Sequence, residues 1–309
     1  MPFNLKRLSL VFMLIFLFAA GVLAQQGNSP LHTVMLNGAD RNSGNYMINL
    51  YDNIGEERGG MISDWGFSMF VRYNGQNILF DGGASAQILH NNAEKAGINL
   101  KDIDFAILSH HHGDHTVGIH HLVEVNPDVT VYVPKDGMLG YGDTGDNKKY
   151  RKGYLYQQGN IVFIDKAVKI IDGVNLIFTT SSHTGSFSKY PPHEDDPALI
   201  PLPELSLALA TGRGEYVIIS GCSHSGIEEI TKAAKDFVHS DILFVTGGCH
   251  LGAYDDNYII KLAENMKNNL GVIYLGASHC TGNKAINLIK SIYGRNYIEG
   301  GLGTKIIFP

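Results

Sequence analysis

Cysteine, tryptophan and long apolar runs are all scarce in this sequence. Its cysteines are Cys222, Cys249 and Cys280, a small and odd set that excludes a full disulfide framework and leaves stability to a packed core. No stretch of Lys and Arg is interleaved with aromatics, and the net charge is −6, so no nucleic-acid groove is expected and a small-molecule substrate is. No period suggests repeats and no tract is of low complexity. The one long apolar run lies at the start. Lys6 and Arg7 precede a nearly unbroken apolar stretch from Leu8 to Leu17, and Val22-Leu23-Ala24 offers a cleavage site ahead of Gln25. Residues 1–24 thus have the build of a secretory signal peptide. No cysteine follows that could carry a lipid, and no later segment is apolar enough to span a membrane. The expectation is a periplasmic or secreted protein with no stable membrane anchor after cleavage.

What is present is ample apolar material, 44% of 309 residues, enough for one large α/β domain or two small ones. Residues 31–37 read as a first strand. Residues 67–73 and 76–80 read as a hairpin across Asn74-Gly75, followed by a helix over 84–96 that stops at Gly97. Strands are expected at 103–108 and 129–134. Residues 135–203 break the rhythm and read as a lid or substrate insert with short strands at 161–164 and 174–180. A hairpin at 205–210 and 216–220 follows, then helices at 227–239, 256–269 and 283–293 alternating with strands at 242–246, 272–275 and 304–308. Two mixed sheets covered outside by helices fit this order.

The chemistry concentrates in Ser109-His110-His111-His112-Gly113-Asp114-His115, directly behind an apolar strand. If the chain stays extended, His110, His112 and Asp114 share one face and His115 turns to the other. Imidazole nitrogens with a carboxylate oxygen suit Zn²⁺, Mn²⁺ or Fe²⁺, and zinc is the usual choice for a nitrogen-rich site. Four such ligands are more than one open catalytic metal takes from a single loop. Two metals sharing it, one on His110/His112 and one on Asp114/His115, is the natural reading. A lone loop histidine is ordinarily just solvated or hydrogen-bonded; His111 fits the opposite face and is read as a neighbour of the ligands, and His120 and His121 are read as outside the metal and catalytic set.

Histidines also recur just after apolar strands: His224 after 217–220, His250 after 242–246 and His279 after 272–275. Small residues before each let the backbone bend and bring the rings to a common rim. Asp81 ends a strand in the same manner, placed to accept a proton from a ligand imidazole. Each cysteine lies within two residues of one of these histidines. A need for small residues at tight strand ends is favoured for them over a thiol lining the metal site. Within the insert, His183, Ser186, Tyr190 and His193 are candidates for substrate binding, and the Gly282 turn leads into a helix whose N-terminus suits an anion.

Together, S-H-H-H-G-D-H-T-V-G, the preceding F-D-G-G and the later G-C-S-H resemble the metallo-β-lactamase fold superfamily. W-G-F-S at 65–68, G-C-S-H-S-G-I at 221–227, G-G-C-H-L at 247–251 and S-H-C-T-G at 278–282 resemble one branch of it. That branch includes archaeal enzymes that make β-ribofuranosylaminobenzene 5′-phosphate derivatives linked to dihydropterin. The resemblance implies a four-layer αββα sandwich as a single domain over 25–309. It implies His110, His112 and His224 on one metal, and Asp114, His115 and His279 on a second. The slot where hydrolytic members carry a bridging Asp falls at Gly248-Cys249-His250, so His250 would stand in its place. Asp255 and Asp256 lie nearby, although capping of a helix explains them better. The implied function is a secreted metallo-hydrolase that uses metal-activated water on a small ester, a phosphoester first, with Asp114 and His250 in catalytic roles. A transferase of the branch's synthase type and a non-catalytic metal- or ligand-binding protein are the alternatives.

Overall fold

The computed structural model describes residues 31–42, 44–135, 160–181 and 202–309. The expected signal segment, its cleavage point and the insert residues His183, Ser186, Tyr190 and His193 lie outside the described residues. Among those described, no helix is long and apolar enough to cross a membrane.

Two mixed sheets form the framework. The first has eight strands, β1 (His32–Met35), β2 (Tyr46–Tyr51), β3 (Ser68–Tyr73), β4 (Gln76–Phe80), β5 (Phe105–Ile107), β6 (Thr130–Pro134), β7 (Asn160–Ile164) and β14 (Thr304–Ile307), in the order β1-β14-β2-β3-β4-β5-β6-β7. The second has β8 (Val168–Ile171), β9 (Val174–Ser181), β10 (Leu202–Ala210), β11 (Tyr216–Ser220), β12 (Ile242–Gly248) and β13 (Tyr274–Ser278), in the order β13-β12-β11-β10-β9-β8. Antiparallel pairs β2–β3, β3–β4, β9–β10 and β10–β11 lead into parallel runs through β4–β7 and β11–β13.

Strand alternation explains the layering. In β3, Met69, Val71 and Tyr73 face the second sheet, and in β11 Val217 and Ile219 face the first; all lie in one core with Phe80, Leu207 and Phe244. The intervening Phe70 and Ile218 point outward to separate cores. On the outside of sheet one, helices α1 (Ala86–Lys95) and α2 (Gly113–Val125) bury Leu89, Ala93, Ile119 and Leu122 against Leu79 and Val131. On sheet two, α3 (Ile227–Val238), α4 (Asp256–Asn268) and α5 (Asn283–Tyr293) bury Ile230, Ile259, Leu262 and Ile289, each such side chain contributing roughly 1.5–3 kcal/mol by leaving water. The four layers are helix, sheet, sheet, helix, as expected.

Local signals act as read. Asn74 and Gly75 both have positive φ, 47° and 87°, the twist a two-residue hairpin needs. Ser85 Oγ accepts from Ile88 N at the start of α1, and Asp255 caps α4 through Tyr258 N. The differences are physical too. Strand β2 was not expected, since Tyr46–Tyr51 lies in a Gly- and Asn-rich stretch and carries Asn49 at its centre. Strand β8 was not expected either; it is a half-exposed edge. Within the expected insert, β7, β8 and β9 are built into the two sheets; residues 136–159 and 182–201 lie outside the described residues.

Candidate metal centre

Strands β4, β5, β11, β12 and β13 end at Phe80, Ile107, Ser220, Gly248 and Ser278. Parallel pairing of β4 with β5, and of β11 with β12 and β13, opens their C-terminal ends on common edges, the usual place for ligands in α/β sheets. The turns there are sharp. Asp81, Ser223, His250 and His279 have φ of 59°, 63°, 51° and 48°, a left-handed conformation that costs about 1–3 kcal/mol for a non-glycine residue and gathers at functional sites. Gly221 is required by close approach, since a Cβ there would collide with Ser109 Oγ and crowd Asp81 Oδ2.

The histidine loop is not extended throughout. Helix α2 starts at Gly113 with His112 as its N-cap, and His115 N donates to His112 O at 3.1 Å. Coiling of the chain reverses the expected direction of His115. Its ring does not turn away but lies fully buried, 4.2 Å from the His110 ring centre. His110, His112 and His224 form one group, with ring centres 4.5, 4.7 and 4.8 Å apart. Asp114, His115 and His279 form a second, with Asp114 Oδ2 3.4 Å from His279 Nε2 and 3.8 Å from His115 Nε2. In each group the donor atoms lie within 4.8 Å of one another. The His250 ring stands 4.2 Å from that of His224 and groups with it and Cys222. Thus the rim collects all the histidines expected of it. His111 instead reaches Pro134 O at 3.2 Å, and His121 lies on the α2 surface 3.4 Å from His90. Asp256 pairs with Lys284 at 2.5 Å.

Hydrogen bonds fix the rings. Asp81 Oδ1 accepts from Ser109 N at 2.7 Å, and Oδ2 accepts from Ser109 Oγ at 2.6 Å and His115 Nδ1 at 2.7 Å. Because the Ser109 hydroxyl proton goes to Asp81, its oxygen accepts from His110 Nδ1 at 2.9 Å. Asn53 Oδ1 accepts from His279 Nδ1 at 2.8 Å. His110, His115 and His279 therefore each carry a proton on Nδ1 and turn Nε2 toward the shared space. Sequence reasoning missed several of these supports. Asp52, fully buried, holds the His279 backbone through Oδ1 at 3.0 Å. Glu204, also buried, accepts from His224 N, Ser225 N and Ser225 Oγ at 2.7–2.9 Å. Its signal was a lone carboxylate in the apolar strand Leu-Pro-Glu-Leu. Trp65, the single tryptophan, is 55% exposed and lies 5.0 Å from the His279 ring. Two of the three thiols differ from the expected packing role. Cys222 and Cys280 face the histidines, whereas Cys249 joins the helix-side core.

Burial holds His110, His112 and His224 below the ordinary imidazole range, His112 at about 4. Burial also pushes the Asp114 carboxyl up, but His115, His279 and His112 outweigh it and hold it well below the carboxylate range. For His279, burial is outweighed by Cys280, Asp114 and Asp52, which raise it to about 9. The neutral imidazoles of His110, His112 and His224 make a good donor set for a divalent metal, and the ionised Asp114 makes another donor once His279 gives up its extra proton. His110 Nε2 and His224 Nε2 are buried without a hydrogen-bond partner, and a bound cation would satisfy both.

Sequence comparisons agree with this geometry. Two proteins of Methanocaldococcus jannaschii are 28% identical to this chain. One is the uncharacterized protein MJ0448, matched over 78% of this chain and 92% of its own length. The other is named 7,8-dihydropterin-6-methyl-4-(beta-D-ribofuranosyl)-aminobenzene-5′-phosphate synthase, matched over 78% and 88%. The solved structure of Tm1679, described as a metal-dependent hydrolase of the beta-lactamase superfamily, shares the fold with a TM-score of 0.66 at 24% identity, over 84% of this chain and 98% of that one. The sequence profile of the metallo-beta-lactamase superfamily matches residues 66–257, a span that runs from Trp65's neighbour through the histidine loop to the start of α4, and the chain belongs to that superfamily.

Proposed function

We propose that this protein is a metal-dependent hydrolase of small esters, phosphoesters first, with Zn²⁺ as the metal. The observation that carries the reading is the paired donor set, in which His110, His112 and His224 adjoin Asp114, His115 and His279 with Nε2 atoms turned inward. His110, His112 and His224 would hold one ion, and Asp114, His115 and His279 a second. Bound there, the metal supplies Lewis acidity and lowers the pKa of water near it. Asp114, ionised throughout the neutral range, orients the attacking water by accepting its hydrogen bond. His250 is a proton donor to the leaving oxygen; burial lowers its pKa, but Cys280 and Glu204 outweigh that and raise it. Trp65 offers an exposed ring face beside His279 for an apolar part of the substrate. The relative named as a synthase supports a transferase as the second reading.

Metal analysis of the purified protein, paired with chromogenic phosphomonoesters, phosphodiesters and carboxyl esters, tests the proposal. Turnover of at least one class is expected, abolished by chelator and restored by Zn²⁺. Bound metal with no turnover on any ester would overturn it in favour of a binding protein or the transferase.

The proton states predict how loading depends on pH. At pH 7 the first triad is already neutral and takes metal without displacing a proton from its imidazoles. His279, at about 9, carries a proton on Nε2 that the second ion must displace. Below pH 9, second-site affinity should therefore rise about tenfold or more per pH unit, while the first stays nearly flat down to about pH 5. Metal titrations at pH 6.5 and 8.0 check this. Equal pH slopes at the two sites would contradict the assignment.

A further inference from the structure

A pair of histidines stands apart from the centre, on the outer helical layer. His90 lies on α1 and His121 on α2. His121 is nearly two turns beyond His115, about 9 Å further along the helix axis. His90 Nδ1 and His121 Nε2 are 3.4 Å apart, with ring centres 5.5 Å apart and planes at 74°. His90 is exposed and His121 half-buried, so an ion can reach the pair from solvent. The packing that sets this separation is firm. The two helices meet at Gly118, where a Cβ would collide with Leu89 Cδ2 and Gly82 O. His90 directly follows Leu89, and His121 lies one turn beyond Gly118. Asn92 Nδ2 donates to Leu50 O at 2.9 Å and Ile62 O at 2.8 Å, tying α1 to β2 and the loop behind it.

The separation is that of two ligands on one ion. Two nitrogens at about 2.0–2.1 Å on a tetrahedral zinc stand about 3.3–3.4 Å apart. Glu124 Oε2 lies 3.8 Å from His121 Nδ1, one turn further along α2. Its charge favours the proton on Nδ1 and leaves the Nε2 lone pair toward His90, the carboxylate–histidine arrangement that stands behind metal ligands. Without metal, His90 Nδ1 then donates its proton to His121 Nε2. With metal, both nitrogens give their lone pairs to the ion, and His90 carries its single proton on Nε2 instead.

We propose that His90 and His121 form a separate metal site, a surface clamp for Zn²⁺ or a similar divalent transition-metal ion, with water in the remaining positions. The proposal stands independently of the two-metal reading of the centre. With two protein ligands it is the weaker site and fills after the centre. When filled, it ties α1 to the helix that starts behind His112 and carries Asp114 and His115. The ion there stabilises the support of the centre without entering its chemistry.

The test counts zinc. Protein loaded with Zn²⁺ and freed of excess is dialysed against rising free Zn²⁺, and the bound metal is measured. Wild type should take up one further equivalent. His90→Ala and His121→Ala should each lose that equivalent while keeping the tighter zinc and the circular dichroism spectrum. Glu124→Gln should take it up about tenfold more weakly. Thermal unfolding gives a second readout. Zn²⁺ at a hundredfold excess over the Kd of this site should raise the Tm of the loaded wild-type protein by about 5–10 °C, and the rise should be absent from both alanine variants. No further equivalent in wild type, or undiminished uptake in either alanine variant, overturns the proposal. Failure of the centre to hold zinc, with this equivalent still present, would overturn the reading of the centre and support this one.

Discussion

Replacing His112 with alanine is expected to remove one metal equivalent and to lower ester turnover by more than about 100-fold, because even the partners behind metal ligands are worth 10–100-fold when removed. The ring sits at the mouth of the first group, 4.5 Å from His110 and 4.7 Å from His224. Two imidazoles cannot hold an open zinc well. His112 is half-buried and is the N-cap of α2 with no side-chain capping bond, so the helix does not depend on its ring. The fold should survive, and the loss should appear in metal content with the circular dichroism spectrum unchanged. A His112→Ala protein with two metal equivalents and wild-type rate would refute the assignment of the first site.

The second large effect comes from a residue that touches no metal. Asp81 accepts three hydrogen bonds on one carboxylate, from Ser109 N, Ser109 Oγ and His115 Nδ1. Through the Ser109 hydroxyl it also sets the His110 proton. In Asp81→Asn the amide group must face a donor, whichever way it turns. One buried donor is then unsatisfied, at about 1–3 kcal/mol, a fall in Tm of roughly 2–4 °C for each kcal/mol in a domain of this size. The larger consequence is electronic. His115 loses the carboxylate that fixes its tautomer, and the Ser109 hydroxyl that fixes that of His110 loses the acceptor of its own proton, so both metal sites should weaken, by about 10–100-fold each. Calorimetric metal titration of Asp81→Asn checks this. Loss at only one site, or at neither, would show that Asp81 serves the turn and not the rings.

The histidine loop was legible because it is contiguous and its chemistry has few other uses. The later histidines were legible because each follows a strand and a small residue. The supports behind them were not. Asp52 bonds a backbone amide 227 residues away, and Asn53 the ring of that same histidine; no local pattern announces such a pairing. Strand β2, which delivers both, was hidden by Asn49. Yet Asn49 is there for a reason, since its Nδ2 donates to Asp52 Oδ2 at 2.7 Å and Gly300 O at 2.8 Å. The direction of His115 was misjudged because an alternation rule for extended chain was carried three residues into a helix. The cysteines were read as small residues, and two of them turned out to face imidazoles. Apart from His115, where a local helix start intervenes, the errors lie where long-range contact overrides a local rule.

The position of β14 bears on the order in which the molecule assembles. It lies between β1 and β2, with Thr304 paired to His32 and Lys305 to Ile48. Joining segments some 270 residues apart in the chain requires a long loop to close, and contacts of that range form slowly. Strand β1 cannot dock until β14 is present to receive it. The same seam brings Gly300 to Asn49, hence Asn49 to Asp52 and Asp52 to the His279 backbone. The histidine loop and β11 can meet earlier, so the two halves of the centre mature at different times. The half containing His279 waits for the seam at Gly300, so a folding chain would already bring together His110, His112 and His224, with Asp114 and His115 beside them, before the His279 backbone is fixed.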